Sequence, residues 1–255
     1  MKANTLLLFL LFTTPLAFAQ TTKSINTDRP GQTTNPHTVG TSVSQLQYGI
    51  NYFDPNTVNS TILIRYGFFE KFEVNAGYSS AFEYLDENYA SLRNISRYQY
   101  GTTHINIGAR YNILQTDGYK PGIGIQGTVF LDINDYYLST GSFYNFILSA
   151  DQKLVKDLRI GGNIISEIEL ALNYNYFRYT SYLSYSYEDF SFLAELYGDL
   201  DRDLETSWDF GVTYQYNSNM LIDINYGKRR YNYYYFGPQV YWNAEIGLTY
   251  RIPKN

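Results

Sequence analysis

The amino-acid sequence predicts an all-β fold, a closed antiparallel transmembrane β-barrel of about twelve strands, within a range of roughly ten to fourteen, and an N-terminal periplasmic segment. Three observations predict it. Polar and apolar residues alternate with a period of two in many separate stretches, which gives each strand one apolar face. Tight turns alternate along the chain with long polar loops. Aromatic residues, 29 Tyr and 16 Phe among 255 residues, recur at strand ends, where a barrel meets the membrane surfaces.

The first element is a predicted signal peptide. Lys2 supplies a positive charge, residues 6–12 form an apolar run too short to cross a bilayer, and Ala-Phe-Ala at 17–19 is a typical cleavage site. No later apolar run reaches the roughly 18 residues of a membrane helix. We therefore expect an exported protein that is either soluble outside the cytoplasm or crosses a membrane as strands. Its predicted parts are a signal peptide at 1–19, a periplasmic or plug segment at 20–40 and an outer-membrane β-barrel at 41–255.

The second element, residues 20–40, is polar and contains Pro30 and Pro36, so it should not extend the first strand far. Two interpretations stay open. The segment is a loose periplasmic tail, or it folds into the mouth of the barrel as a plug. In the second case Asp28, Arg29 and Pro30 are its predicted plug residues, and Arg29, which lies beside Asp28, pairs with charges in the lumen.

The strands follow from residue 41 onward. In the clearest one, every second residue from Trp208 is Trp, Phe, Val, Tyr and Tyr, and the residues between are Asp, Gly, Thr and Gln. The predicted strands are 41–53, 60–69, 72–81, 102–113, 122–132, 142–153, 158–167, 177–187, 190–199, 207–216, 220–227 and 241–252. The long connections are 54–59, 82–101, 133–141, 168–176, 200–206 and 228–240. An even number of strands places both termini on the periplasmic side, and a hairpin hidden in 82–101 would raise the number to about fourteen.

An exported soluble β-sandwich is the alternative, because it also alternates and also hides one face of each sheet. The small number of Pro residues, 7 in total, and the rhythm of short turns and long loops favour the membrane barrel. The outward faces, which are uniformly aliphatic or aromatic, favour it as well.

A barrel of this size should have a narrow lumen, since eight strands enclose only side chains and sixteen leave a water channel. The inward positions carry charges of both signs, which either select small solutes or neutralise one another as a structural network. The predicted lumen-lining residues are Arg65, Glu73, Arg110, Gln126, Asp151, Arg159, Arg178, Glu195, Asp209, Asp223, Glu245 and Arg251, with Asn163 and Asn225 on the same face.

Residues 25–31, Ile-Asn-Thr-Asp-Arg-Pro-Gly, are followed by Thr-Val-Gly at 38–40 and by Gln-Leu-Gln-Tyr-Gly at 45–49. This start resembles that of an outer-membrane family named for the meta pathway of phenol degradation, whose members are transporter-type β-barrels. The chain departs from the family at Gln47, where an acidic residue is usual. The resemblance implies a channel or transporter for small solutes, with aromatic or hydrophobic compounds among them.

Two further features imply partners. Glu245, Gly247, Tyr250 and Ile252 resemble the terminal-strand signal that the barrel-assembly machinery recognises, although three residues follow it. The cationic run at 228–230 and its neighbouring Tyr residues would bind lipopolysaccharide if they lay in an extracellular loop; the alternative is a solvated extension of the strand. The expected surroundings are outer-membrane lipid.

Several function classes are excluded or disfavoured. A net charge of −5 argues against nucleic acid, and the absence of Cys excludes disulfides, thiolate metal sites and a lipidated N-terminal Cys. His37 and His104 are the two histidines of the sequence, so we expect no enzyme, no metal site and no cofactor. Two functions remain: an outer-membrane channel for small solutes, or a non-conducting structural or adhesive barrel that acts through the loops 82–101 and 228–240.

Overall fold

The computed structural model describes residues 25–29, 31–53, 57–84, 98–133, 142–169, 174–200, 206–233 and 237–252. These residues form a closed antiparallel barrel in which each strand pairs with its neighbours in the chain and β1 pairs with β12. The strands are β1 (Ser44–Phe53), β2 (Thr57–Phe69), β3 (Phe72–Tyr84), β4 (Tyr98–Leu114), β5 (Gly122–Asp132), β6 (Phe143–Val155), β7 (Leu158–Glu169), β8 (Tyr174–Tyr187), β9 (Phe190–Asp199), β10 (Ser207–Asn217), β11 (Met220–Tyr233) and β12 (Gly237–Ile252). In the described part of the chain, no helix is long and apolar enough to cross a membrane.

The predicted fold class and strand order are confirmed. Of the two interpretations of residues 228–230, the extension of the strand is confirmed and the extracellular loop is wrong. β11 and β12 continue to Tyr233 and from Gly237, and they pair along most of residues 228–240, which the sequence had placed in a loop. β3 and β4 pair with each other up to Tyr84 opposite Tyr98, so no strand separates them in the described residues. The signal peptide and the residues between β3 and β4 lie outside the described ranges.

The barrel has an apolar outer face and a polar inner face, the reverse of a soluble protein. In β1, Leu46 and Ile50 point outward and are 37% and 38% exposed, whereas Gln45 and Gln47 point inward and are buried. Among the largest fully buried side chains are Arg65 and other charged residues. Burying charge inside and exposing aliphatic groups outside is favourable only where the outer surface meets lipid.

Aromatic side chains gather at both rims of the outer face. Near the short turns, Phe190 and Tyr214 have ring centroids 4.9 Å apart. Near the opposite rim, Trp242 stacks on Tyr226 at 5.6 Å and meets Trp208 edge-on at 6.1 Å. Such rings prefer the boundary between hydrocarbon and water, so they mark the two edges of the apolar band.

The N-terminal segment turns into the barrel immediately before β1. Gly40 has a positive φ of 96° and Ser42 one of 57°, a left-handed geometry that reverses the chain. Ser42 N donates to Gly67 O at 2.6 Å, and Gly67 N donates to Val43 O at 3.0 Å. A Cβ at Gly67 would collide with the carbonyl oxygen of Gly40. The wall therefore leaves space at this point for the backbone to pass inward.

Candidate functional site

The lumen is crossed by residues 25–29 and 31–43, which we call the N-terminal segment. Its main chain and side chains form hydrogen bonds with inward residues of strands around the barrel. The wall residues that bond it are Gln45, Arg65, Glu73, Arg110, Asn112, Asp151, Asn163, Thr180, Glu195, Asp223, Arg229, Glu245 and Thr249. Because it is bonded to strands on several sides, the described part of the segment lies inside the lumen and is not a loose tail outside it.

Arg29 is bonded to one side of the barrel. Its Nη2 lies 3.1 Å from Asp223 Oδ1, its Nε 3.3 Å from Asp223 Oδ2, and its Nη1 2.7 Å from Glu245 Oε1. The guanidinium lies over the paired residues Gly49 and Gly247, where a Cβ on either glycine would collide with it. Burial opposes its charge, but the two carboxylates outweigh burial and raise the pKa of Arg29. The two glycines and two carboxylates form a socket for this one side chain.

Asp28, the preceding residue, is bonded to a different set of strands. Its Oδ2 lies 2.6 Å from Arg110 Nη2 and 3.4 Å from Arg65 Nη1. Burial alone would raise the pKa of the Asp28 carboxyl, but Arg110 and Arg65 outweigh burial and lower it below its usual value. Asp28 is therefore an ionised carboxylate between two buried guanidinium groups.

The wall that faces Arg29 is rich in carboxylates. Glu195 and Asp209 lie opposite each other on β9 and β10, and Asp223 and Glu245 follow on β11 and β12. All four are inward and at most slightly exposed. Gln32 N donates to Glu195 Oε2 at 2.6 Å, so the segment contacts this acidic wall again three residues after Arg29.

The wall that faces Asp28 is basic. Arg65 on β2 and Arg110 on β4 are 0% and 1% exposed, and both also donate to the carbonyl oxygen of His37, at 3.3 Å and 2.9 Å. Glu73 on β3 bonds Arg65 at 2.7 Å and accepts a hydrogen bond from Val39 N. The lumen thus has acidic and basic sides, and the segment presents a charge of the opposite sign to each.

The remaining predicted lumen residues also lie on the inner face. Gln126 accepts from Arg110 at 2.6 Å, Arg159 bonds Asp151 at 2.9 Å, and Arg251 is buried. Arg178 lies 3.6 Å from Glu167 toward the rim with the long loops. Pro30 is outside the described residues. The role of this set in solute passage stays a prediction.

Two features of the lumen were missed from the sequence. One is the set of inward glycines: besides the Arg29 socket, a Cβ at Gly124 would contact the backbone of Pro36 at 2.7 Å. The other is Arg229, which the sequence had left either in an external loop or in a solvated extension of the strand. It faces inward, donates to Gln32 Oε1 at 2.7 Å and lies 5.2 Å from the Phe53 ring. Extending the period of two from Asp223 along β11 would have placed it correctly.

The half of the lumen beyond the segment is lined in part by aromatic rings. Arg229 is also 5.6 Å from the ring of Tyr197, and Phe130 stacks on Phe143 at 4.4 Å with His104 edge-on to both. On the side of the short turns, the segment and the wall line a partly open cavity of about 700 Å³. The barrel therefore has space on at least one side of the segment.

His37 lies beside a hydroxyl and a carboxylate, but the arrangement does not suit nucleophilic catalysis. Its Nε2 is 3.0 Å from Asp151 Oδ2 and 3.3 Å from Thr116 Oγ1, so one ring nitrogen meets both groups. A catalytic relay requires the base to contact the nucleophile through one nitrogen and the orienting group through the other. In the described residues no cluster of three or more His, Cys, Asp or Glu side chains could hold a metal ion.

Comparison with solved structures finds outer-membrane barrels. The chain is similar to the KdgM porin, at 12% identity and a TM-score of 0.59 over 82% of this chain and 99% of that chain. It is similar to the NanC porin, at 14% identity and a TM-score of 0.53 over 81% and 100% of the two chains. It is also similar to outer membrane phospholipase A from Escherichia coli, at 9% identity and a TM-score of 0.51 over 82% and 90%.

These similarities concern the fold, since porins and an enzyme share it at such low identities. No family model and no curated protein matches the sequence. The resemblance to the phenol degradation family therefore stays a prediction.

Proposed function

We propose that the protein is an outer-membrane channel for small solutes, exported by its signal peptide and inserted by the barrel-assembly machinery. The observation that carries the proposal is the closed barrel whose apolar face is outside and whose charged face is inside. A polar lumen of this kind serves solute passage, whereas a barrel used only as an anchor needs no division of inner charges. Lipid and lipopolysaccharide are its expected surroundings.

In this proposal residues 20–40 form the plug. The support is the set of hydrogen bonds and ion pairs that hold the N-terminal segment across the lumen, with Asp28 and Arg29 at its centre. Passage then requires that the segment shift or leave, so conductance depends on those contacts. The cavity of about 700 Å³ on the side of the short turns gives a solute room next to the segment.

Aromatic compounds are included among the proposed solutes. The rings of Phe130 and Phe143, stacked at 4.4 Å, face the lumen beyond the segment and offer a surface for stacking. The resemblance to the phenol degradation family implies the same class of solute.

Planar-bilayer conductance in potassium chloride tests the channel. We expect low conductance from the full chain and a clear increase from the full chain with D28N and R29Q together, because both charges that hold the segment are removed. The matched control is D117N with K120Q, which removes one charge of each sign from an exposed turn. The control should behave like the unmodified chain.

The alternative is a non-conducting structural or adhesive barrel, and the filled lumen favours it. If bilayers stay silent for the full chain, for the D28N and R29Q variant and for a chain lacking residues 21–40, the channel proposal is wrong. Aromatic solutes are excluded if they pass no faster than saccharides of equal size in a conducting variant.

A further inference from the structure

We propose that the lumen has a binding site for zwitterionic solutes, such as amino acids or short peptides, and that Asp28 and Arg29 occupy this site as an internal substitute. This inference rests on the proposed function and names the class of solute. It starts from one observation: two adjacent residues of the segment present opposite charges to opposite kinds of wall.

The cationic half of the site is built for a guanidinium or ammonium group. Asp223 and Glu245 converge on Arg29 at 3.1 Å and 2.7 Å, and their side chains are 0% and 11% exposed. Gly49 and Gly247 lie opposite each other and leave the space that the group fills. Glycine at both positions permits this close approach, because a Cβ at either one would force the guanidinium to move.

The anionic half of the site is built for a carboxylate. Arg110 Nη2 is 2.6 Å from Asp28 Oδ2, and Arg65 Nη1 approaches the same oxygen at 3.4 Å. Both guanidinium groups are buried, and other bonds fix them: Arg110 donates to Gln126, and Arg65 donates to Glu73. A second carboxylate could replace that of Asp28 without rearrangement of either arginine.

Two charges are required because each half is buried. A displaced segment would leave two carboxylates without Arg29 on one side and Arg110 without Asp28 on the other, and buried unpaired charge is strongly unfavourable. A single anion would pair with Arg110 but would leave Asp223 and Glu245 to repel each other. A single cation would pair with these two carboxylates but would leave Arg110 without a counter-charge. A zwitterion satisfies both halves, so it can compete with the segment.

The spacing of the two halves limits the solute. Asp28 and Arg29 are consecutive residues, so the acidic and basic groups are within reach of one dipeptide or one amino acid with a charged side chain. We therefore choose N-acetyl-Asp-Arg-amide as the probe. Its neutral analogue is N-acetyl-Asn-Gln-amide, and N-acetyl-Asp-Gln-amide and N-acetyl-Asn-Arg-amide carry one charge each.

Binding is measured by calorimetry on the full chain in detergent. We expect the Asp-Arg peptide to bind about ten-fold more tightly than each of the other three, since it alone forms both sets of charge-assisted hydrogen bonds. We expect its affinity to rise about ten-fold in the D28N and R29Q double variant, because the segment no longer competes. Equal affinity for the neutral peptide, or no gain in the double variant, overturns the inference.

One wall variant separates the two halves. In the D28N and R29Q background, where the segment no longer competes, D223N should weaken the Asp-Arg peptide about ten-fold and leave the singly anionic Asp-Gln peptide unchanged, whereas D117N in an exposed turn should change neither. If D223N weakens both peptides equally, a general structural effect explains it and the site is wrong. Circular dichroism of each variant checks that the barrel is folded.

Bilayer measurements distinguish this inference from the channel proposal. In the conducting double variant, the Asp-Arg peptide should block potassium chloride current at about one tenth of the concentration that the neutral peptide requires. Current that both peptides block equally overturns the zwitterion site and keeps the channel. A silent bilayer together with selective peptide binding in detergent overturns the channel and keeps the site.

Discussion

The two charges at the centre of the N-terminal segment are held by walls of different construction. The basic wall has acceptors of its own: Arg65 bonds the Glu73 carboxylate on the neighbouring strand at 2.7 Å, and Arg110 donates to the neutral amide of Gln126 at 2.6 Å. Asp28 adds to bonds that the wall already makes. If the segment left, Arg65 would therefore keep a charged partner, and Arg110 would keep an amide acceptor but lose its counter-charge.

The acidic wall depends more strongly on the segment. Asp223 and Glu245 repel each other, and Arg29 bonds both of them over the glycine pair. The comparison teaches that two neighbouring residues with similar burial need not contribute equally to the free energy that holds the segment in the lumen. Arg29 should hold the segment more firmly than Asp28.

The largest expected effect is that of R29Q. Removing one partner of a buried ion pair costs about 3–5 kcal/mol, and here two carboxylates lose their shared cation. The free energy that holds the segment in the lumen should fall by this order, and conductance in planar bilayers should rise accordingly. K120Q, on an exposed turn, is the control and should have no effect. If D28N opens the channel more than R29Q does, the comparison of the walls is wrong.

The second variant alters the same socket without changing any charge. G247A places a methyl group where Arg29 now lies, so the guanidinium must move away from Asp223 and Glu245. We expect an opening of the channel that is somewhat smaller than with R29Q, because the displaced cation can still reach one carboxylate. The matched control is G127A, whose added Cβ would meet Phe146 at an ordinary distance of 3.7 Å. Equal conductance of the two alanine variants would contradict the socket.

The barrel and its inner charges could be predicted from the sequence because alternation is local. A period of two assigns each side chain to one face without knowledge of distant residues, and this placed residues such as Arg65 and Glu195 correctly on the inner face. How far the N-terminal segment enters the barrel depends on contacts with residues that are distant in the sequence. Gly49 and Gly247 look like ordinary strand glycines until Arg29 is seen above them.

Strand ends were less predictable for a similar reason. The run at 228–230 is cationic and is followed by Tyr and Asn, a composition typical of loops, so the sequence had ended β11 at residue 227. Pairing with β12 extends the strand to Tyr233 and turns Arg229 toward the segment. Such an extension depends on the partner strand, and composition alone does not reveal it.

D28N should have a smaller effect than R29Q. The asparagine can still accept one hydrogen bond from Arg110, and Arg65 keeps Glu73, so the loss is about 1–2 kcal/mol. Planar-bilayer conductance of D28N should lie between that of the unmodified chain and that of R29Q. A double-mutant cycle of D28N with R110Q measures the pair directly. A coupling energy near zero would show that Asp28 does not act through Arg110.

The smallest expected effect is on the pH dependence of conductance, which distinguishes the titration of Asp28 from that of other groups. Arg110 and Arg65 lower the pKa of the Asp28 carboxyl in the folded protein. The contribution of Asp28 to holding the segment in the lumen is therefore complete above the ordinary aspartate range, and it is lost as the pH falls through the lowered value. At pH 5–8 the difference in conductance between the unmodified chain and D28N should be constant. As the pH falls below the ordinary aspartate range and through the lowered value, the two should converge, because protonation makes Asp28 as neutral as asparagine. A difference that already narrows between pH 8 and pH 6 would mean that a group other than Asp28 controls the segment.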